Sequence, residues 1–103
     1  MTLEQLYTLI TTNGFKYAYG AFKTPTEPPH LVAITRGTDN MMADNKTWYK
    51  QTPIQLTYTY IDKDTTEQAK LEDTVLKDLA WNKTDEVYLS DEKVWQVDYF
   101  FEI

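Results

Sequence analysis

The chain has 103 residues, of which 42% are hydrophobic, so its size and composition suit a single domain with a packed core. It contains no cysteine, which excludes disulfides and thiolate zinc sites. Sixteen acidic residues against ten basic ones give a net charge of −6, and the basic residues are scattered. Strong nucleic-acid binding needs clustered basic residues, so this class of function is disfavoured.

The first predicted element is a helix over residues 2–12. Thr2 and Gln5 have the spacing of a capping box, in which each side chain bonds to the backbone amide of the other residue. Asn13-Gly14 is typical of a helix C-terminus, because glycine readily adopts the left-handed conformation found there. Apolar residues recur at helical spacing and predict a single buried stripe made of Leu3, Leu6, Tyr7 and Ile10.

Three strands are predicted next. Residues 15–22 are aromatic and short, residues 31–36 are almost continuously apolar, and residues 52–61 alternate between apolar and polar side chains. The segment 23–29 holds three prolines and is therefore a loop. The alternation in the third strand predicts one buried face made of Ile54, Leu56, Tyr58 and Tyr60.

A second helix is predicted over residues 62–81. Asp64 or Thr65 can cap its N-terminus, and Trp81 is expected to close the core at its C-terminal end. The predicted buried stripe contains Leu71, Val75, Leu76 and Leu79.

The chain closes with a predicted hairpin of residues 86–89 and 94–103 around a polar turn. Apolar side chains of its second strand share one predicted face: Trp95, Val97, Tyr99, Phe101 and Ile103. The element order is α-β-β-β-α-β-β. It predicts an α+β fold in which two helices pack on one face of a largely antiparallel sheet, within one domain that covers residues 1–103.

An apolar excursion between the second and third strands is the main functional candidate. Residues 37–50 predict a protruding loop or β-ribbon, or alternatively a lid folded back over the sheet edge. Methionine and aromatic residues are favoured where subunits meet. The candidate self-association residues are Met41, Met42, Asp44, Trp48 and Tyr49.

Residues suited to catalysis are scarce. His30 and Ser90 are the only histidine and serine, so a Ser-His pair would have to use both. Asp62 and Asp64 begin like a calcium-binding loop, but Glu67 stands where such a loop requires glycine. We therefore expect no catalytic residue, no metal site and no cofactor, and a protein that is not an enzyme.

Several segments together resemble a known family. They are Pro28-Pro29-His30-Leu31-Val32, Asp39 to Asn45, the Trp48-Tyr49 pair, the Leu/Tyr-containing first helix and the final segment from Gln96 to Glu102. The chain resembles tail terminator, or tail-to-head joining, proteins of tailed phages and prophages of Gram-positive bacteria. The resemblance covers the whole chain, and its motifs are patterns without a catalytic signature.

The resemblance implies a structural virion protein. Such subunits form a ring, usually hexameric, at the top of the tail tube, where they contact the tube protein and a head-completion or neck protein. DNA would pass through without specific binding, no membrane would be involved, and assembly would take place in the host cytoplasm. An acidic DNA mimic that inhibits a host DNA-binding protein is the alternative, although lysines interrupt the acidic residues.

Overall fold

The computed structural model describes residues 1–37 and 52–103, and these residues form the predicted α+β fold. The elements in chain order are α1 (Leu3–Thr12), β1 (Tyr17–Tyr19), β2 (His30–Thr35), β3 (Pro53–Tyr60), α2 (Thr65–Lys70) with a π-helical turn (Leu71–Val75), β4 (Asn82–Lys83), β5 (Val87–Leu89) and β6 (Val94–Glu102). None of the helices in these two ranges is long and apolar enough to cross a membrane.

The sheet is largely antiparallel, as predicted. Its strand order is β1-β2-β3-β6-β4, and β5 also pairs with β6. The β1–β2 pair is parallel, whereas β2–β3, β3–β6, β4–β6 and β5–β6 are antiparallel. β1 therefore forms one edge of the sheet, and β4 and β5 follow one another along the opposite edge.

The core lies between the helices and one face of the sheet. The period-two pattern of β3 is confirmed, because its alternate apolar side chains are all buried. Both helices contribute to the same cluster, whose members include Leu6, Ile10, Ile54, Leu56, Tyr58, Leu71, Val75, Leu76, Val97 and Tyr99.

Both predicted helix N-termini are capped. In α1 the Gln5 amide donates to Thr2 Oγ1 at 3.1 Å, and the Thr2 amide donates to Gln5 Oε1 at 2.8 Å, which completes the capping box. In α2 the Asp64 carboxylate accepts from the amides of Thr66 and Glu67 at 3.0 and 3.1 Å. These bonds satisfy amide groups that a helix cannot satisfy by itself.

The second helix is shorter than predicted and changes its winding. It starts at Thr65, turns π-helical at Leu71 and ends at Val75. The Leu76 amide donates to the Leu71 carbonyl five residues back, at 3.2 Å. Residues 71, 75 and 76 would spread over two sides of a regular α-helix, and the extra residue of the π turn allows all three to be buried.

The strands also depart from prediction in length. The first strand covers only Tyr17–Tyr19 because Gly20, at φ +83°, bends the chain away. The two-residue strand β4 was not predicted, since two residues carry no periodicity.

The last strand is mostly placed as predicted. Val97, Tyr99 and Phe101 are buried, and Ile103 exchanges two backbone hydrogen bonds with Thr52, of 2.8 and 3.0 Å. Trp95 is the exception: it lies on the predicted face, but beyond the area that the helices cover.

Candidate functional site

The predicted self-association residues Met41, Met42, Asp44, Trp48 and Tyr49 lie outside the described residues. The structure shows where their segment joins the sheet. Thr35 is opposite Ile54 at the end of the β2–β3 pair, and the Arg36 amide donates to the Pro53 carbonyl at 2.8 Å. The excursion therefore connects two antiparallel neighbours at one end of the sheet.

A second surface, which sequence reasoning missed, lies at the β1 edge. We call it the β1-edge patch and define it as Leu3, Tyr7, Tyr17 and Tyr19. Its side chains line a groove of about 470 Å³ between α1 and β1. Tyr7 and Tyr19 are 53% and 50% exposed, and the rings of Tyr7 and Tyr17 meet edge to face at 5.9 Å.

This patch corrects the predicted stripe of α1. Leu6 and Ile10 are buried as predicted, but Leu3 and Tyr7 are exposed. The physical reason is the shortness of β1, which leaves the outer side of α1 without sheet beneath it. Helical spacing identifies an apolar side of a helix, but it does not tell how far the sheet extends under it.

A third surface lies at the opposite edge. We call it the β5-edge patch and define it as Tyr88 and Trp95; the exposed Val87 is opposite Gln96 and lies on the other side of the sheet. The rings of Tyr88 and Trp95 are 5.1 Å apart, and these residues are 48% and 38% exposed. Trp95 is opposite Tyr60 on β3, so this aromatic pair lies on the same side of the sheet as the helices.

A polar network links α2, β4 and β6. The Tyr99 hydroxyl donates to Glu72 Oε2 at 2.6 Å and accepts from Gln68 Nε2 at 2.9 Å. Lys83 Nζ also donates to Glu72 Oε2, at 2.7 Å. Lys63 extends the network by bonding to Gln68 Oε1 at 2.7 Å and to Glu86 Oε1 at 2.9 Å.

Two members of this network, Glu72 and Tyr99, have shifted pKa values. Burial disfavours the Glu72 carboxylate, but hydrogen bonds from Lys83 and Tyr99 outweigh burial and lower its pKa. Burial, and then the bond to Glu72, raise the pKa of Tyr99 far above its usual value. Tyr99 is therefore a protonated donor at neutral pH, and the network joins the helical layer to β4 and β6.

The two residues considered for nucleophilic chemistry are far apart. His30 begins β2, where its ring meets that of Phe22 at 5.0 Å, and Ser90 lies exposed in the turn after β5. Strands β3 and β6 separate β2 from β5, a distance of roughly 14 Å at about 4.8 Å per strand. The structure does not bring this pair together. Burial lowers the pKa of His30, so it is neutral at pH 7.

The helix-free face of the sheet carries hydrogen-bonded polar side chains. Thr57 Oγ1 donates to Asp98 Oδ1 at 2.7 Å, and Gln96 Nε2 donates to Thr59 Oγ1 at 3.3 Å. Near the base of the excursion, the Arg36 guanidinium lies over the Phe100 ring, 4.8 Å from its centroid. The two hydrogen bonds join neighbouring strands across this face.

Comparison with protein-family models gives no match for this chain. A search among curated proteins likewise finds no similar sequence. A function for this chain is therefore inferred from its exposed surfaces and from the sequence resemblance.

Proposed function

We propose that this protein is a structural subunit of a tailed-phage virion, a tail terminator or head–tail joining protein that assembles as a ring at the top of the tail. The observation that carries the proposal is the presence of two different exposed apolar patches at opposite edges of one sheet. A ring of identical subunits needs two such patches, because each subunit contacts its two neighbours through different surfaces.

The chemistry of the described residues agrees with a structural role. Gln68, Tyr99, Glu72 and Lys83 bond to one another in a network that joins α2, its π turn, β4 and β6. The aromatic residues that remain exposed are of the type enriched where proteins meet. The sequence resemblance supplies the setting: a ring between tail tube and head, with the tube protein and a neck or head-completion protein as partners, in the virion.

The excursion is the proposed third contact, with a neighbour or with the tail tube. Its methionine and aromatic residues would add apolar area beyond the two edge patches. The proposed contact depends on the residue types of the excursion.

The test is the solution mass by light scattering over a concentration series, with negative-stain images of the same sample. We expect rings with a mass about six times the 12.1 kDa of one chain. The variant Met41→Gln/Met42→Gln/Trp48→Gln should keep the near-UV spectrum of the folded protein and lose self-association. The matched control, Thr38→Gln/Lys46→Gln, changes polar residues of the same excursion and should still assemble.

Two results would count against these assignments. If the triple variant lost its near-UV spectrum, the three residues would belong to the core. If the wild-type protein stayed monomeric and captured a DNA-binding protein from host lysate, the DNA-mimic alternative would be favoured.

A further inference from the structure

The two sheet edges have opposite charge, although the chain as a whole is acidic. Residues 13–26, which contain β1, include Lys16 and Lys23 and no acidic residue. Residues 84–92, which contain β5, include Asp85, Glu86, Asp91 and Glu92 and no basic residue. Glu27 follows the first segment, Glu4 lines the groove beside β1, and Lys83 and Lys93 flank the second segment. The difference in charge is therefore confined to the two edge strands and the residues next to them.

The backbone of the β1 edge is available for pairing. Within the described ranges, β1 pairs only with β2. The Leu31 amide donates to the Lys16 carbonyl, and the Gly20 amide donates to the Ala33 carbonyl, both at 2.8 Å. In a parallel pair, the backbone groups of every second residue bond to the neighbouring strand. The amides and carbonyls of the residues between them, Tyr17 and Tyr19, therefore point away from β2 and the rest of the sheet. Such an edge is a template for another strand.

The opposite edge offers a complementary strand. Among the residues described, β5 pairs only with β6, so its outer side is also open. The aromatic pair Tyr88–Trp95 and the tyrosines of the β1 edge lie on the same side of the sheet, the side that carries the helices. A sheet continued from the β5 edge of one copy to the β1 edge of the next would bring these aromatic residues together on one side.

We infer that the β1 edge of one copy binds the β5 edge of the next copy, so that the sheet continues from subunit to subunit. The occupant of each edge is a second copy of this chain, selected by charge: the lysines beside β1 face the carboxylates beside β5. Glu86 is already bonded to Lys63, so Asp85, Asp91 and Glu92 are the carboxylates available to a neighbour. Opposite charges at such a contact select the partner and fix its orientation. This inference rests on the ring assembly proposed above.

Cross-linking tests the contact directly, because the wild-type chain has no cysteine. Ala21→Cys places a thiol beside β1, and Val87→Cys places one on β5; both positions are exposed. A short bifunctional maleimide should join the two variants when they are mixed, and neither variant should cross-link to itself. A mixture of Ala21→Cys with Lys77→Cys, an exposed position in the turn after the π turn, is the matched control and should give no product.

Charge reversal provides an independent measurement. Lys23→Glu should weaken self-association roughly tenfold or more, since it places like charges together. Asp91→Lys should weaken it in the same way, and the double variant Lys23→Glu/Asp91→Lys should restore it. Lys77→Glu, with the same change of charge elsewhere, should associate like the wild type.

The possible outcomes separate this inference from the proposed function. Rings without a cross-link between positions 21 and 87 would overturn the edge contact and leave the ring proposal standing. Cross-linked open filaments would support the edge contact and contradict the ring. Self-cross-linking of either single variant would show a two-fold symmetric contact and overturn the inference, as would failure of the double variant to recover.

Discussion

At the scale of single residues, Glu72 is the carboxylate of the polar network that bonds to both β4 and β6. Its Oε2 atom accepts hydrogen bonds from both the Tyr99 hydroxyl and Lys83 Nζ, and these partners belong to β6 and β4. A carboxylate with a buried hydroxyl donor and an ammonium donor is stabilised in its charged form, which is the reason for its lowered pKa. The ionisation of Glu72 is therefore linked to folding.

The first residue-scale prediction is that Glu72→Gln destabilises the protein by about 1–2 kcal/mol at pH 7, because the Tyr99 hydroxyl and the Lys83 ammonium would lose a charged acceptor and the ion pair with Lys83 would be lost. Since the folded pKa is lowered, the contribution of Glu72 is complete above the ordinary value of 4.5 and is lost as the pH falls through the folded pKa. The stability difference between wild type and variant should therefore shrink below about pH 4.5.

Urea unfolding at a series of pH values measures this difference. Asp78→Asn, at an exposed position in the turn after the π turn, is the matched control and should change the stability at pH 7 by less than about 0.5 kcal/mol. A difference between wild type and Glu72→Gln that stays constant down to pH 3 would contradict the linkage.

The individual aromatic residues show what sequence could and could not assign. Tyr58 and Tyr99 were predicted to be buried and are buried, because each lies within a long alternating strand. Tyr7 and Trp95 fit their apolar patterns equally well but are exposed. Their environment is decided by where α1 and the sheet end, and a local pattern does not contain that information.

At the scale of elements, the caps were the most predictable feature. A capping residue acts on amides two or three positions away, so the sequence alone contains the interaction. Both caps described above are therefore local interactions. The π turn was not predicted because its cause is not local. Its cause is the need to bury residues 71, 75 and 76 against strands that lie far away in the chain.

Asp64→Ala tests the cap of α2. The loss of two bonds to the amides of Thr66 and Glu67 should cost about 1 kcal/mol and lower the melting temperature by several degrees. Asp62→Ala removes the same charge two residues earlier, at an exposed position before the helix, and should have a smaller effect. An equal loss of stability in the two variants would show that the negative charge near the helix N-terminus stabilises α2, and not the capping hydrogen bonds.

Deletion of Thr74 tests the reason given for the π turn. Without this residue, Val75 and Leu76 follow Leu71 by three and four positions, the spacing that an ordinary α-helix buries on one face. We expect this deletion variant to remain folded, as measured by near-UV circular dichroism and thermal melting. Deletion of Thr8 from α1 should be far more harmful, since it rotates Ile10 by about 100° away from the core. Unfolding of the Thr74 deletion would refute the explanation.

At the scale of the whole molecule, the fold class followed from the order and periods of the elements, and the positions of the exposed apolar patches did not. The sheet order places β1 and β5 on opposite edges, although neither strand shows this in its own sequence. The charges of residues 13–26 and 84–92 were visible from the start. Their relation became visible only when the topology placed these segments at opposite edges of the sheet formed by the described residues.

The proposed contact between the two edges would also give an assembly a direction. When edge β1 always meets edge β5, every subunit around a closed ring points the same way, and the ring has an upper and a lower surface made of different residues. A tube protein and a head protein would then meet different chemistry on the two sides. A particle built in this way can be joined in only one orientation, without any further device to distinguish its ends.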